Sequence, residues 1–192
     1  MAKVALFAFV IFLIVSVNSQ YFYPMLDNFA PLHHVGHSKP LNAIAYMEGQ
    51  HGNGILYFHQ SSPVSPVIIT GEIHGLEKGE HGMHVHEFGD LTHGCESAGE
   101  HYNPFHKNHG GQFDDDRHLG DLGNIVAGAH GVAKVYKVDQ VMSLFGEHSV
   151  LGRTMVVHAN PDDLGQGGDE ESKKSGNSGD RVACGIIHLI KH

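Results

Sequence analysis

The chain has 192 residues, 41% of them hydrophobic, which suits one domain with a real core and leaves little room for a second. It carries 21 acidic against 12 basic residues, a formal charge of -9 with histidine neutral, and no lysine- or arginine-rich run. This balance argues against nucleic acid or an anionic membrane surface as a partner.

Residues 1–19 predict a signal peptide. Lys3 precedes an apolar run from Val4 to Val17, and Val17 and Ser19 occupy the small-residue positions a signal peptidase accepts. The run is shorter than the roughly 20 apolar residues a membrane span needs. The expectation is a secreted, extracellular protein with no membrane attachment after cleavage. Residues 20–40 carry aromatics, prolines and the trio His33, His34 and His37 without a clean period, and read as an extended N-terminal arm. Residues 41–192 are the expected folded domain.

From Leu41 the sequence is strand-like. Ala43 to Met47 and Ile55 to His59 flank Gly52-Asn53-Gly54 and predict a hairpin turning on that tripeptide. Val67 to Ile73 predicts a third strand and Gly82 to Phe88 a fourth. On the fourth, period two puts His84 and His86 on one face and Met83, Val85 and Glu87 on the other. Gly89 to about Asn124 reads as one long, polar, Gly-rich loop. A loop of that length inside a compact domain needs a reason to be ordered. Strands resume at Gly131 to Val138 and Thr154 to His158, a second polar loop runs from Ala159 to about Asp180, and Arg181 to Ile187 closes the series. The fold class is therefore all-β: a Greek-key β-sandwich or flattened barrel of about eight antiparallel strands with two long functional loops.

Cys95 and Cys184 are the only cysteines. In an oxidising compartment such a pair reads as one disulfide. The long loop is dense in metal-capable side chains: His101, His109, His118 and Asp121 follow the His84/His86 strand face, and His158 ends a later strand. Imidazole suits copper and zinc, and zinc also tolerates a carboxylate. With 19 histidines, however, a His-x-His pair arises by chance, and scattered surface histidines would give a similar picture.

The motifs HGMHVHEFGD, GCESAG, HYNP, HGG, RHLGDLGN, VVH, DDLGQGG and GDRVACG, between Leu41 and Leu189, resemble copper/zinc superoxide dismutase. The resemblance implies copper on His84, His86, His101 and His158, and zinc on His101, His109, His118 and Asp121, with His101 shared. Seven side chains filling eight positions around two four-coordinate ions agree with one bridging ligand. It further implies that Asp162 links a copper histidine to a zinc histidine, that Arg181 holds the superoxide anion, and that Lys174, near Glu170 and Glu171, belongs to the loop shaping the field around the entrance. The implied activity is dismutation of superoxide to O2 and H2O2, copper exchanging the electron, His101 accepting a proton, and zinc positioning His101. A protein of the same fold that binds copper and zinc without turnover is the rival class, and the presence of all seven ligands, Asp162 and Arg181 argues against it.

One departure concerns assembly. His188 stands where the resemblance implies a small glycine in the homodimer-packing region, which makes the homodimer doubtful.

Overall fold

The structure is a computed structural model that describes residues 38–191. The expected signal peptide at 1–19 and the expected arm as far as residue 37 lie outside the described residues. Ten strands are found among the described residues: β1 Leu41–Glu48, β2 Asn53–Gln60, β3 Val67–His74, β4 Gly79–His86, β5 Thr92–Cys95, β6 Asp121–Ala127, β7 Val132–Asp139, β8 Thr154–His158, β9 Arg181–Ile186 and β10 His188–Leu189. One short helical turn, α1 Ser172–Ser175, interrupts the last long loop.

Alternation along the early strands creates the core. Ala43, Ala45 and Met47 of β1, Leu56 and Phe58 of β2, and Val67, Ile69 and Ile73 of β3 point inward and are buried, while Tyr46 and Tyr57 face out. Each large side chain withdrawn from water in this way contributes about 1.5–3 kcal/mol. The sheet order is β10-β1-β2-β3-β7-β6-β4-β8-β9. All the strand pairs are antiparallel, and contact between Glu48 of β1 and Cys184 of β9 closes eight strands into a barrel, with β10 beside β1. Because β3 pairs with β7, and β4 lies between β6 and β8, the chain crosses over between non-consecutive neighbours, as a Greek key requires.

Strand β4 separates the core from the site. Met83 and Val85 belong to the apolar core, while His84 and His86 take the opposite face and are buried as well. Burial on both faces is possible because the two long loops fold over the outer side of the β4–β8 wall.

The structure corrects three expectations. Gly52-Asn53-Gly54 is not the hairpin turn. Asn53 and Gly54 already pair with Glu48 and Met47 on one side and with His74 and Ile73 on the other, so the turn lies earlier. Position 54 in the strand requires glycine, because a Cβ there would strike the carbonyl oxygen of Glu72. The stretch 89–124 is not wholly loop: it holds β5 and the first half of β6. The opening residues of β6, Asp121, Gly123 and Asn124, are poor strand formers. Pairing with β4, from Gly79↔Ala127 to His84↔Asp121, overrides that propensity. The last predicted strand ends at Ile186 rather than Ile187.

Cys95 and Cys184 form a disulfide across 89 positions, tying the long loop to β9. Loop-closure entropy for a ring of that size stabilises the folded chain by up to about 4–5 kcal/mol. Reducing this bond in metal-free protein should therefore lower the urea midpoint markedly, and an unchanged midpoint with both thiols free would contradict that role.

Candidate metal centre

Local backbone geometry delivers each ligand to one place. His84 and His86 come from β4, His158 from the end of β8, Asp121 from the first position of β6, and His101, His109 and His118 from the loop between β5 and β6. An isolated bridge between His86 and His101 docks that loop onto the strand. All seven side chains are buried, and Asp121 is fully so. They fall into two adjoining sets.

In the first set, the ligand-capable atoms of His84, His86, His101 and His158 lie within 4.8 Å of one another. His86 Nδ1–H donates to the carbonyl of Gly99 (2.8 Å) and His158 Nδ1–H to that of Gly179 (2.9 Å). Those bonds fix the tautomer and leave each Nε2 lone pair facing inward, 3.3 Å apart. His84 is turned the other way round. Its Nε2–H donates to Asp162 Oδ2 (2.9 Å), and its Nδ1 faces the set.

The second set converges on one oxygen. Asp121 Oδ2 accepts from the backbone N–H groups of His118 (2.8 Å) and Gly110 (3.2 Å). Its Oδ1 is thereby presented to His101 Nδ1, His109 Nδ1 and His118 Nδ1 at 2.9, 3.0 and 3.2 Å. His118 Nδ1 and His101 Nδ1 are 3.5 Å apart. A tetrahedral ion bonded at about 2.0–2.1 Å has ligand-to-ligand edges of roughly 3.3–3.4 Å, so three nitrogens and one oxygen at these spacings fit zinc. His84, His101, His109 and Asp121 also lie within 4.8 Å of one another, so compactness alone would put His84 in place of His118. Asp162 takes His84 Nε2, and His118 Nδ1 turns toward Asp121.

Three buried nitrogens, His84 Nδ1, His101 Nε2 and His109 Nδ1, have no hydrogen-bond partner. Leaving buried polar atoms unsatisfied costs about 1–3 kcal/mol each, a penalty a bound ion removes. The residues present therefore fit metal ions. Asp162 stands behind both sets: its Oδ1 accepts from His109 Nε2 (2.7 Å) while Oδ2 accepts from His84. Gly176, at φ 65°, must be glycine, since a Cβ there would collide with Asp162 Oδ1.

Burial and charge set the protonation of the metal-free site. Burial opposes a charge on His109, but the carboxylates of Asp121 and Asp162 outweigh it and raise its pKa to about 9. Burial would also raise Asp121 and Asp162, yet the imidazoles around them hold both well below the usual carboxylate range. Burial first, and neighbouring imidazoles second, push His86 and His101 well below the ordinary value and His158 down to about 3.

Arg181 lies at the mouth of the first set, in a recess shared with His86, His101 and His158. Its guanidinium donates to the carbonyls of Cys95 (2.8 Å) and Gly99 (2.7 Å), so the disulfide loop aims it. Gly99 accepts from both Arg181 and His86, joining the guanidinium to the first set. Glu171 lines the same recess, while Lys174 lines the neighbouring one with His101 and His118. Glu170, Glu171 and Lys174 are exposed.

Three contributors escape sequence reasoning. His81 places its ring nitrogens against the carbonyls of His158 (2.8 Å) and Glu77 (2.9 Å). Asn124 grips the backbone of Asp162 in both directions, at 2.8 and 2.7 Å. The carbonyls of Gly99 and Gly179 orient ligands, and no residue-type signal betrays a backbone acceptor.

A closed antiparallel barrel with a buried histidine–aspartate centre on its outer wall defines a metal-binding protein of the Greek-key class. The copper/zinc superoxide dismutase (SODC) family matches residues 52–187. The Cu-Zn superoxide dismutase 5 of Dictyostelium discoideum is 50% identical over 151 residues, covering 79% of this chain and 99% of that relative. The chain belongs to the copper/zinc superoxide dismutase family, and it is a superoxide dismutase whose metals are copper and zinc.

The direction of pH dependence follows from these shifts. His86, His101 and His158 have folded pKa values below the unfolded value near 6.5, so the stability they contribute is present above that value and is lost as pH falls. His109 has the opposite sign: its contribution is full below 6.5 and is lost as pH rises toward about 9. The carboxylates act only at lower pH. Metal-free protein should therefore lose stability between pH 6.5 and 5, by at most about 1.4 kcal/mol per histidine per pH unit. Urea midpoints in chelator at pH 7 and pH 5 measure this, and a midpoint higher at pH 5 would contradict it.

Proposed function

We propose that copper is held by His84 Nδ1, His86 Nε2, His101 Nε2 and His158 Nε2, and zinc by His101 Nδ1, His109 Nδ1, His118 Nδ1 and Asp121 Oδ1. His101 is then the ligand common to both. The observation that carries this reading is the set of three buried nitrogens that make no hydrogen bond, one on each of His84, His101 and His109. Four nitrogens suit Cu(II), and three nitrogens with one oxygen suit Zn(II).

Copper, when bound, supplies the one-electron exchange that turns two superoxide anions into O2 and H2O2. The chain's own residues do the rest. Arg181 attracts and holds the anion beside the first set, because a guanidinium remains charged at any working pH. His101 Nε2 is the atom that would take up a proton, while its Nδ1, which faces Asp121, would serve the second set. His86 and His158, each anchored by a backbone carbonyl, keep their lone pairs fixed throughout the cycle. Asp162 holds His84 and His109 in one tautomer, so that loading either set leaves the other in place. Lys174 belongs to the charged rim that draws the anion in.

We further propose that the protein acts outside the cell. The support is the apolar run from Val4 to Val17 behind Lys3, with residues 1–19 as the signal peptide, residues 20–40 as an arm and 41–192 as the catalytic domain. A disulfide joining Cys95 and Cys184 agrees with an oxidising compartment.

Two measurements test the assignment together. Elemental analysis of purified protein should find one copper and one zinc per chain. Arg181→Ala should lower kcat/KM for superoxide roughly ten- to hundredfold, the loss of about 1.5–3 kcal/mol of charge-assisted binding, while metal content holds. Unchanged turnover would remove Arg181 from the mechanism.

A further inference from the structure

Strands β6 and β7 pair only at Ala127↔Ala133. Beyond that point they diverge: β6 stays with β4 down to Asp121, and β7 stays with β3 as far as Asp139. The side of β6 that faces β7 therefore lacks a ladder partner over its first residues, among the described residues. Gly123, at φ 65° beside a shift in the β4–β6 register, interrupts the regular strand between Leu122 and Asn124, and the carbonyls of those two residues are left to other donors. Both are met by a side chain. Lys137 of β7 donates from Nζ to the carbonyl of Leu122 at 2.6 Å and to that of Asn124 at 2.8 Å.

The stretch that Lys137 clamps is the one on which the second ligand set depends. Asp121 opens it and supplies the oxygen that faces three imidazoles. Asn124 ends it, and its amide grips the backbone of Asp162. Asp162 in turn orients His109 and His84. Lys137 is half-buried; burial lowers its pKa, against the pull of Asp162 and Asp139. A partly desolvated ammonium of this kind is stable where carbonyl oxygens replace its water.

We propose that Lys137 is a positioning residue for the zinc half-site, acting across the open β6–β7 seam to hold the 121–124 stretch so that Asp121 and Asp162 both meet His109. The inference rests on the zinc assignment proposed above. It gives a physical reason for a lysine on β7, where its side chain replaces the backbone donors that a continuous β6–β7 ladder would supply.

The test is zinc release into a chromophoric chelator, together with the visible ligand-field spectrum of protein carrying Co(II) in the zinc half-site. Wild type, Lys137→Met and Lys137→Arg are compared. Lys137→Met should release zinc about tenfold faster, at the lower end of the effect of removing a group behind a metal ligand, and should change the Co(II) bands. Lys137→Arg, which keeps the charge and the donors, should lie nearer to wild type in both. If Lys137→Met does not fold, Lys137→Gln, with a donor but no charge, is read in the same way. A methionine variant that melts earlier yet keeps wild-type zinc release and wild-type Co(II) bands overturns the inference and leaves the zinc assignment standing. Wild-type protein that takes up no zinc overturns the assignment itself, and the inference with it.

Discussion

The carboxylate of Asp162 is the constraint on which the metal centre depends. One oxygen accepts from His84 Nε2 and the other from His109 Nε2, so a single planar group sets the ring orientation of one histidine in each set. Each of those rings then has only its Nδ1 free to face inward; His84 Nδ1 makes no hydrogen bond, and His109 Nδ1 lies 3.0 Å from Asp121 Oδ1 without hydrogen-bond geometry. The two half-sites cannot be arranged independently. Asp162 is itself over-determined: Asn124 holds its backbone on one side, and the absence of a Cβ at Gly176 makes room for its Oδ1 on the other.

Strand β4 allows that arrangement to sit on a stable fold. Because side chains alternate, Met83 and Val85 complete the apolar core while His84 and His86 reach the opposite face without disturbing it. The loops that cover this outer face are long, polar and poor in apolar anchors, so their order comes from elsewhere. The Cys95–Cys184 disulfide supplies one anchor, the grip of Arg181 on the Cys95 and Gly99 carbonyls a second, and the ligands a third. Function and loop order thus share the same contacts, and losing metal is expected to loosen the loop that aims Arg181.

Much of this was legible in the sequence, for identifiable reasons. Period two fixed the common face of His84 and His86, alternation marked the inward residues of β1, β2 and β3, and the motifs from HGMHVHEFGD to GDRVACG carried the seven side chains that the fold gathers, with Asp162 and Arg181. What escaped lies in tertiary contacts. Strand β6 was hidden because Asp121, Gly123 and Asn124 favour turns and become strand only when β4 pairs with them. Asn124, His81 and Lys137 work through backbone atoms of other residues, so their side chains look like ordinary strand or surface positions.

The shared role of His101, whose Nδ1 faces Asp121 and whose Nε2 is buried without a partner, is the central claim. Electron paramagnetic resonance of protein carrying Cu(II) in both half-sites tests it most directly. A common imidazolate couples the two spins, and the isolated Cu(II) signal should be lost. Two independent Cu(II) signals of full intensity would contradict a shared His101.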